Sequence, residues 1–427
     1  MPNTDPALSC ESGVLTGMTK TMTIPNGAAP GDVLELTVGE AAHGGWCVAR
    51  SGAPGDQGQV VFVRHALPGE RVRARVTSCT TRFARAEAVE ILQASPDRVE
   101  PPCPYARPDG CGGCDLQHAG PAAQRAIKAQ VIRQQLRRIA GIEREVTVEA
   151  LPGDPAGLGW RTRVGFAVGP DGTAGLRKHR SRDVVAVTDC LIAHPLVRAA
   201  DVTGRRWPGA RGVDVTVSPG SGERSVAVSG PTRRGGESPR PWLTQHAAGR
   251  TWRVSAGVFW QVHPAAASVL TEVVLAALRP QPGDVALDLY CGAGLFTGAL
   301  AGAVGPAGLV TGVESDVAAV RDARKNLARF PQVRVHRGDA AQVLRRRGLN
   351  GASLAVLDPP RTGVNRRVIE MLATGPRRIA YVSCDPATLA RDLGVFTGLG
   401  RQLDDLRAFD AFPMTHHVEC VATLAPP

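Results

Sequence analysis

Apolar and polar positions follow two different periods along this chain. Between residues 31 and 94 they alternate in short runs. Val33-Leu34-Glu35-Leu36-Thr37-Val38, Gln59-Val60-Val61-Phe62-Val63 and Arg71-Val72-Arg73-Ala74-Arg75-Val76 each have the period of two that sends side chains to opposite faces of a strand. Gly44-Gly45, the stretch Gly52 to Gly58 and Pro68-Gly69 supply the turns, and Ala86 to Leu92 closes the series. Short strands at this spacing predict a small closed β-barrel. From about residue 263 the pattern changes. Strands are expected at 285–290, 309–314, 333–337, 353–358 and 378–383, with helices between them. That alternation predicts an α/β domain, a doubly wound parallel sheet covered on both faces. Residues 403–409 and 417–424 read as a closing hairpin.

The segments outside these two blocks are less regular. Residues 1–30 lack periodicity and read as a disordered tail. Ser95 to Pro104 is proline-rich and marks a boundary. A helical segment runs from Pro121 to Ile139, and 147 to about 255 mixes alternating and irregular stretches. The expected organisation is a tail (1–30), a small β-barrel (31–94), a mixed α+β central domain (95–262) and the α/β domain (263–427).

Composition sharpens this picture in two ways. The chain of 427 residues is 43% hydrophobic and 21% charged, with no apolar run long enough to cross a bilayer and no basic-then-apolar leader in its first thirty residues. A cytoplasmic protein with no membrane partner is expected, and a monomer is the default. The net charge of +11 favours a polyanionic partner, because basic side chains displace counterions condensed on phosphates. Arg71, Arg73 and Arg75 fall on one face of their strand, and Arg82 and Arg85 follow. Nucleic-acid contact is favoured there over a merely solvated edge.

The strand Val285-Ala286-Leu287-Asp288-Leu289 runs into Tyr290-Cys291-Gly292-Ala293-Gly294, a glycine turn that opens a helix. The pattern does not continue as Gly-x-Gly-x-x-Gly, which disfavours a pyrophosphate-binding dinucleotide site. Glu314, Asp339 and Asp358 end successive strands. Carboxylates so placed suit a cofactor with a ribose, an adenine and a cationic sulfonium but no phosphate, which is S-adenosyl-methionine. Helix N-capping would explain any one of them alone.

Cys384 lies at the carboxyl end of the fifth strand, beside a helix beginning near Pro386, where the helix N-terminus is expected to lower its thiol pKa. Methylation of carbon 5 of uracil needs such a residue. A thiolate adding to carbon 6 makes carbon 5 nucleophilic, and a base must later remove the carbon 5 proton. Glu419 is the base candidate, and Arg361 could contact phosphate or base. Cys103, Cys111, Cys114 and the distant Cys190 supply four thiolates, a set that suits either zinc or an iron–sulfur cluster.

Several motifs together resemble the bacterial uracil-5 RNA methyltransferases. They are Asp358-Pro359-Pro360-Arg361, Ser383-Cys384-Asp385-Pro386-Ala387-Thr388-Leu389-Ala390-Arg391-Asp392 and Phe412-Pro413-Met414-Thr415-His416-His417-Val418-Glu419. Phe259-Trp260-Gln261-Val262 is similar to the segment that supplies a cofactor-binding glutamine there, and Val61-Phe62-Val63 through Val72 resembles a TRAM domain. The resemblance implies a class I methyltransferase domain with Cys384 as nucleophile and Glu419 as base. It also implies Gln261, Tyr290, Glu314, Asp339 and Asp358 around the cofactor and target base. It further implies a four-iron four-sulfur cluster on Cys103, Cys111, Cys114 and Cys190, favoured over zinc. Leu295 departs from the Asn often found after the glycine turn, which puts one polar cofactor contact in doubt.

The substrate implied is RNA, with 23S ribosomal RNA favoured over transfer RNA. An RNA cytosine-5 methyltransferase is disfavoured because 358–361 lacks a second cysteine. A non-catalytic RNA-binding assembly factor would need neither Cys384 nor Glu419.

Overall fold

The computed structural model describes residues 28–52, 58–153, 155–230, 241–349 and 351–426. The tail expected over 1–30 lies almost wholly outside the described residues, as does most of the Gly52–Gly58 turn.

The alternating N-terminal block forms six strands: β1 (Val33–Thr37), β2 (Ala41–Ala42), β3 (Trp46–Arg50), β4 (Val60–Arg64), β5 (Arg71–Cys79) and β6 (Phe83–Gln93). Their order is β1-β5-β6-β4-β3-β2, and β1 and β2 are consecutive stretches of one chain segment, so the sheet returns on itself. The closing bonds are Gly39 N–H to Val48 O (2.7 Å) and Val48 N–H to Glu40 O (2.9 Å). Inward positions Val61, Val63, Val72, Ala74, Ala84 and Ala86 are fully buried, as the period of two requires. The outward Arg71, Arg73 and Arg75 do not form the free cationic face expected of them. Each meets a carboxylate, from Glu35, Glu90 and Asp109 respectively. Two of these partners come from neighbouring strands and one from a loop beyond the barrel, so they are invisible within the β5 sequence.

Helix α1 (Pro121–Gln135) ends in a π-helical turn over Leu136–Ala140. Its fully buried Lys128 donates to Asp410 (2.6 Å) and to the Phe412 carbonyl (3.0 Å). The short strand β7 (Val148–Ala150) follows. A second sheet holds β8 (Arg163–Val168), β9 (Ala174–Arg177), β10 (Val184–Ala186), β11 (Gly212–Val217) and β12 (Arg224–Ser229), with α2 (Pro195–Arg198) packed on it. Strands β13 (Trp242–Ala247) and β14 (Arg250–Ser255) form a hairpin.

The C-terminal block alternates as its pattern predicts: α3 (Ala266–Leu278), β15 (Val285–Leu289), α4 (Leu295–Val304), β16 (Leu309–Glu314), α5 (Val317–Asn326), β17 (Val333–Arg337), α6 (Ala340–Arg347), β18 (Leu354–Leu357), α7 (Arg366–Leu372), β19 (Arg378–Ser383) and α8 (Pro386–Gly398). The hairpin β20 (Gln402–Asp410) and β21 (Glu419–Ala425) completes it. The eight strands run β17-β16-β15-β18-β19-β21-β20-β7. The first five are parallel, and β21 is antiparallel to β19. One apolar layer under the sheet gathers α3, α4 and α5, and the other gathers α6, α7 and α8. This is a class I methyltransferase domain. The chain leaves β15 in one direction and returns to its other side at β18, and ligands in such sheets bind beyond the strand ends at that reversal.

Sequence reading did not anticipate β7, which comes from the central segment yet pairs in parallel with β20. Among the described residues no helix is long and apolar enough to cross a membrane.

Candidate active site

Strand register decides which side chains meet. Leu289 pairs with Val313 and with Leu357, so the next residues, Tyr290, Glu314 and Asp358, stand level at the carboxyl rim of three adjacent strands. Asp339 follows two residues beyond the end of β17 and caps α6, accepting from the Gln342 N–H at 3.0 Å. Glu314 accepts from the Gly292 N–H (3.1 Å) with one oxygen and from the Asp316 N–H (2.8 Å) with the other. The glycine turn is thereby fixed to the second strand. Gln261 is buried, in the segment preceding α3.

The turn has strict backbone demands. Tyr290 holds φ at +69°, a region costly for a side-chain-bearing residue and often found at functional sites. Gly294 holds φ at +95°, and a Cβ there would lie 2.8 Å from Leu327 Cδ1, so only glycine fits. The neighbouring Leu295 is buried in the layer that contains Phe296, Ala323 and Leu327. The side chain that departs from Asn thus contributes packing.

Strand β21 opens at Glu419. Ser383 pairs with Cys420 across β19 and β21, and the same antiparallel register carried one step further sets Cys384 opposite Glu419. The two share one electrostatic neighbourhood. Burial pushes the Cys384 thiol up to about 12, and Glu419 is the next cause, ahead of the opposing effect of Arg361. This corrects the expectation of a thiol acidified by the helix N-terminus. Desolvation is the largest cause and Glu419 the next, and the first turn of α8 is already capped by Asp385, which accepts from the Thr388 N–H at 2.8 Å.

Glu419 is held well above the usual carboxylate range by burial and by Asp358. Asp358 rises to about 7 through burial, Asp288 and Glu314. Asp288 is fully buried and rises to about 7 for the same first reason, with one oxygen accepting from the Thr297 hydroxyl at 2.5 Å and the other unpartnered. Burial is the first cause of the upward shift at Cys384, Glu419, Asp358 and Asp288, and neighbouring carboxyls add to it. Perturbed groups gathered in this way mark a functional site. Asp288 had no role in the sequence reading, although a lone carboxylate inside an apolar strand was its visible signal.

A polar chain supports the loop before Glu419. Arg361 Nη2 donates to His417 Nε2 (3.1 Å), whose ring burial keeps neutral with a pKa lowered to about 3. The His416 and His417 ring centroids are 4.0 Å apart, and His416 Nδ1 lies 2.6 Å from Asp115 Oδ2. Asp115 also takes a bond from Arg64 Nη2 of the barrel (3.2 Å), and Arg64 reaches Glu87 at 3.1 Å. His43 of the barrel lies 3.2 Å from Asp385, next to Cys384. Apart from the adjacent His416 and His417, these partners are at least 23 residues apart, and Asp115 and His416 are 301 apart, so no local pattern could have announced them.

Cys103, Cys111, Cys114 and Cys190 line one cavity of about 550 Å³ between the loop over 103–117 and the sheet that holds β8, β9, β11 and β12. Burial raises the thiols of Cys111, Cys114 and Cys190, and each also feels at least one other member of the set. Among the described residues no group of three or more His, Cys, Asp or Glu stands in metal-holding array.

Comparison with known proteins agrees with this architecture. Residues 348–426 match the family model of the tRNA (uracil-5-)-methyltransferases, and residues 28–89 match the TRAM domain. An uncharacterized RNA methyltransferase of Streptomyces avermitilis is 49% identical, over 93% of this chain and 99% of its own length. The 23S rRNA (uracil(1939)-C(5))-methyltransferase RlmD of Pseudomonas putida is 34% identical, over 86% of this chain and 88% of its own. A crystal structure of the tRNA (uracil-54, C5)-methyltransferase of Pyrococcus abyssi with S-adenosyl-L-homocysteine shares the fold. Its TM-score is 0.68 at 22% identity, covering 92% of this chain and 100% of that one. On the strength of these identities over nearly the whole length, the chain belongs to the uracil-5 RNA methyltransferase family and carries a TRAM domain at its N-terminal side.

Proposed function

We propose that this protein transfers a methyl group from S-adenosyl-methionine to carbon 5 of one uridine in 23S ribosomal RNA. One observation supports the chemistry: β19 and β21 pair up to Ser383 and Cys420, Cys384 and Glu419 are the next residues on either side, and Glu419 is the foremost charged influence on the Cys384 thiol. Cys384 gives its thiol proton to solvent as its sulfur bonds to carbon 6 of the uracil, which leaves carbon 5 electron-rich. The cosubstrate supplies the methyl group, and carbon 5 takes it as the methyl–sulfur bond breaks. Glu419, having given its own proton to solvent once the cationic cosubstrate is bound, removes the carbon 5 proton. The electron pair then restores the carbon 5–carbon 6 bond and expels the Cys384 thiolate, so atoms and charges balance. Gln261, Tyr290, Glu314, Asp339 and Asp358 would surround the cosubstrate and target base. A cationic cosubstrate arriving beside Asp358 would favour the ionised forms of the acids around it.

The preference for 23S ribosomal RNA rests on similarity to RlmD along most of the chain. A transfer RNA target is the second reading, favoured by the tRNA-methyltransferase match over 348–426. Mass-spectrometric mapping of 5-methyluridine in a deletion strain tests both. Loss of the mark at one 23S position is expected. Loss from transfer RNA with 23S intact would move the assignment.

An iron–sulfur cluster is our reading for the cysteine set on the chemistry of its donors alone, four cysteines that line one cavity. A cluster bound there would cross-link the loop of Cys103–Cys114 to Cys190 and add no step to the reaction. Anaerobically purified protein is expected to be brown, with iron and acid-labile sulfide. Stoichiometric zinc in colourless protein would replace the cluster by a zinc site.

A further inference from the structure

Cations concentrate at one edge of the methyltransferase sheet. From residue 317 to 350 the sequence holds nine Arg and Lys against two Asp, a net +7, where the entire chain has only +11. Strand β17 is the outermost strand on that side and carries Arg334 and Arg337 on exposed positions. Helix α5 adds exposed Arg321, Arg324 and Lys325 on one face of the sheet, and α6 adds exposed Arg345, Arg346 and Arg347 on the other. The groups converge around the strand. His336 is pushed down by burial and then by Arg347, Arg324 and Arg334, which come from all three elements.

The acids that could neutralise them are engaged elsewhere. Asp322 is buried and bound to Trp242, Ser255 and Arg321, and Asp339 caps α6. Only Arg321 of the nine forms an ion pair among the described residues. One or two charges would be enough to guard an edge strand against pairing. Nine wrapped over both faces of the rim have another use. The barrel strand β5 is the opposite case, with its three arginines each matched to a carboxylate.

We infer that the β17 rim, with α5 and α6 beside it, is a docking surface for the phosphate backbone of the substrate RNA, distant from the reacting uridine. The inference rests on the reading of the chain as an RNA methyltransferase and adds where the remainder of the RNA lies. The rim is four strand spacings from β19, roughly 19 Å, so it would hold a flanking helix while the target base enters the site. Unpaired guanidiniums release counterions from the RNA, and exposed charges on both faces of an edge fit a rod-shaped polyanion.

The test is fluorescence anisotropy of a labelled RNA duplex titrated with full-length protein between about 50 and 200 mM KCl. Arg345→Gln/Arg346→Gln/Arg347→Gln keeps helix-forming residues while removing three cations. Its affinity is expected to fall roughly 10-fold, and the slope of log affinity against log salt to flatten by about 2. A second variant, Arg324→Gln/Arg334→Gln, should act in the same direction, and circular dichroism checks that both are folded. Wild-type affinity and slope in both variants would overturn the inference. So would loss of duplex binding on Arg71→Gln/Arg73→Gln/Arg75→Gln alone, or a rim variant that loses polyglutamate binding but keeps RNA, which would assign the rim to an acidic protein. No methyl transfer is read in this titration, so it can fail while the uridine chemistry stands, and the reverse.

Discussion

RNA carrying 5-fluorouridine at the target is expected to become covalently attached to the wild-type protein and to remain so through denaturing electrophoresis, while Cys384→Ala gives no attached species. Fluorine cannot leave carbon 5 as a proton does, so the adduct is trapped after methyl transfer. The same variant should lose turnover by about 10⁴-fold or more, the scale seen when a nucleophile is removed. The substitution removes a half-buried thiol rather than a core anchor, so the variant should fold. An adduct that survives in Cys384→Ala would show that another group attacks the ring, and residue 384 would leave the mechanism.

Glu419→Gln should separate the two halves of the reaction. With ordinary uridine, methyl transfer can proceed but proton removal cannot, so the covalent species is expected to accumulate and turnover to drop by about 10²–10⁴-fold, the range for a lost general base. The thiol gives a second readout. In the resting protein the Cys384 pKa is raised to about 12, first by burial and next by Glu419, so the sulfur is neutral through the neutral range and its thiolate fraction grows only as pH rises. Removing the facing anion takes away one upward cause. The pH at which iodoacetamide alkylates Cys384 should therefore move down in Glu419→Gln. Unchanged alkylation with no accumulated adduct would place the base elsewhere.

The features that could be read from sequence share one property: they are local. The glycine turn after Leu289, the carboxylates ending each parallel strand and the alternation through 31–94 each sit inside one element, where period and punctuation reveal them. Those that escaped notice depend on distant partners. The Cys384 thiol is pushed up first by burial among distant segments and next by Glu419, which its own sequence neighbourhood does not reveal. The arginines of β5 look free until Glu35, Glu90 and Asp109 are brought to them. Asp115 follows a cysteine in a loop, and nothing nearby says that it will bind Arg64 of the barrel and His416 of the active-site loop. Burial of Leu295 likewise depends on Leu327 and Ala323 arriving from α5 and its end.

Strand β7 limits how this molecule can be divided. Residues 148–150 come from well before the catalytic segment, yet they lie along the outer side of β20 and occupy hydrogen-bonding groups that would otherwise face water. A fragment beginning at residue 263 would uncover that backbone ladder beside a buried apolar layer, and would also strand Asp410 without Lys128. Bare ladders invite pairing with other copies, and an abandoned buried charge is costly. The C-terminal piece on its own should therefore be recovered as aggregate. The catalytic sheet thus ends on a strand that another segment lends it, and the two must travel together in any shortened version of the protein.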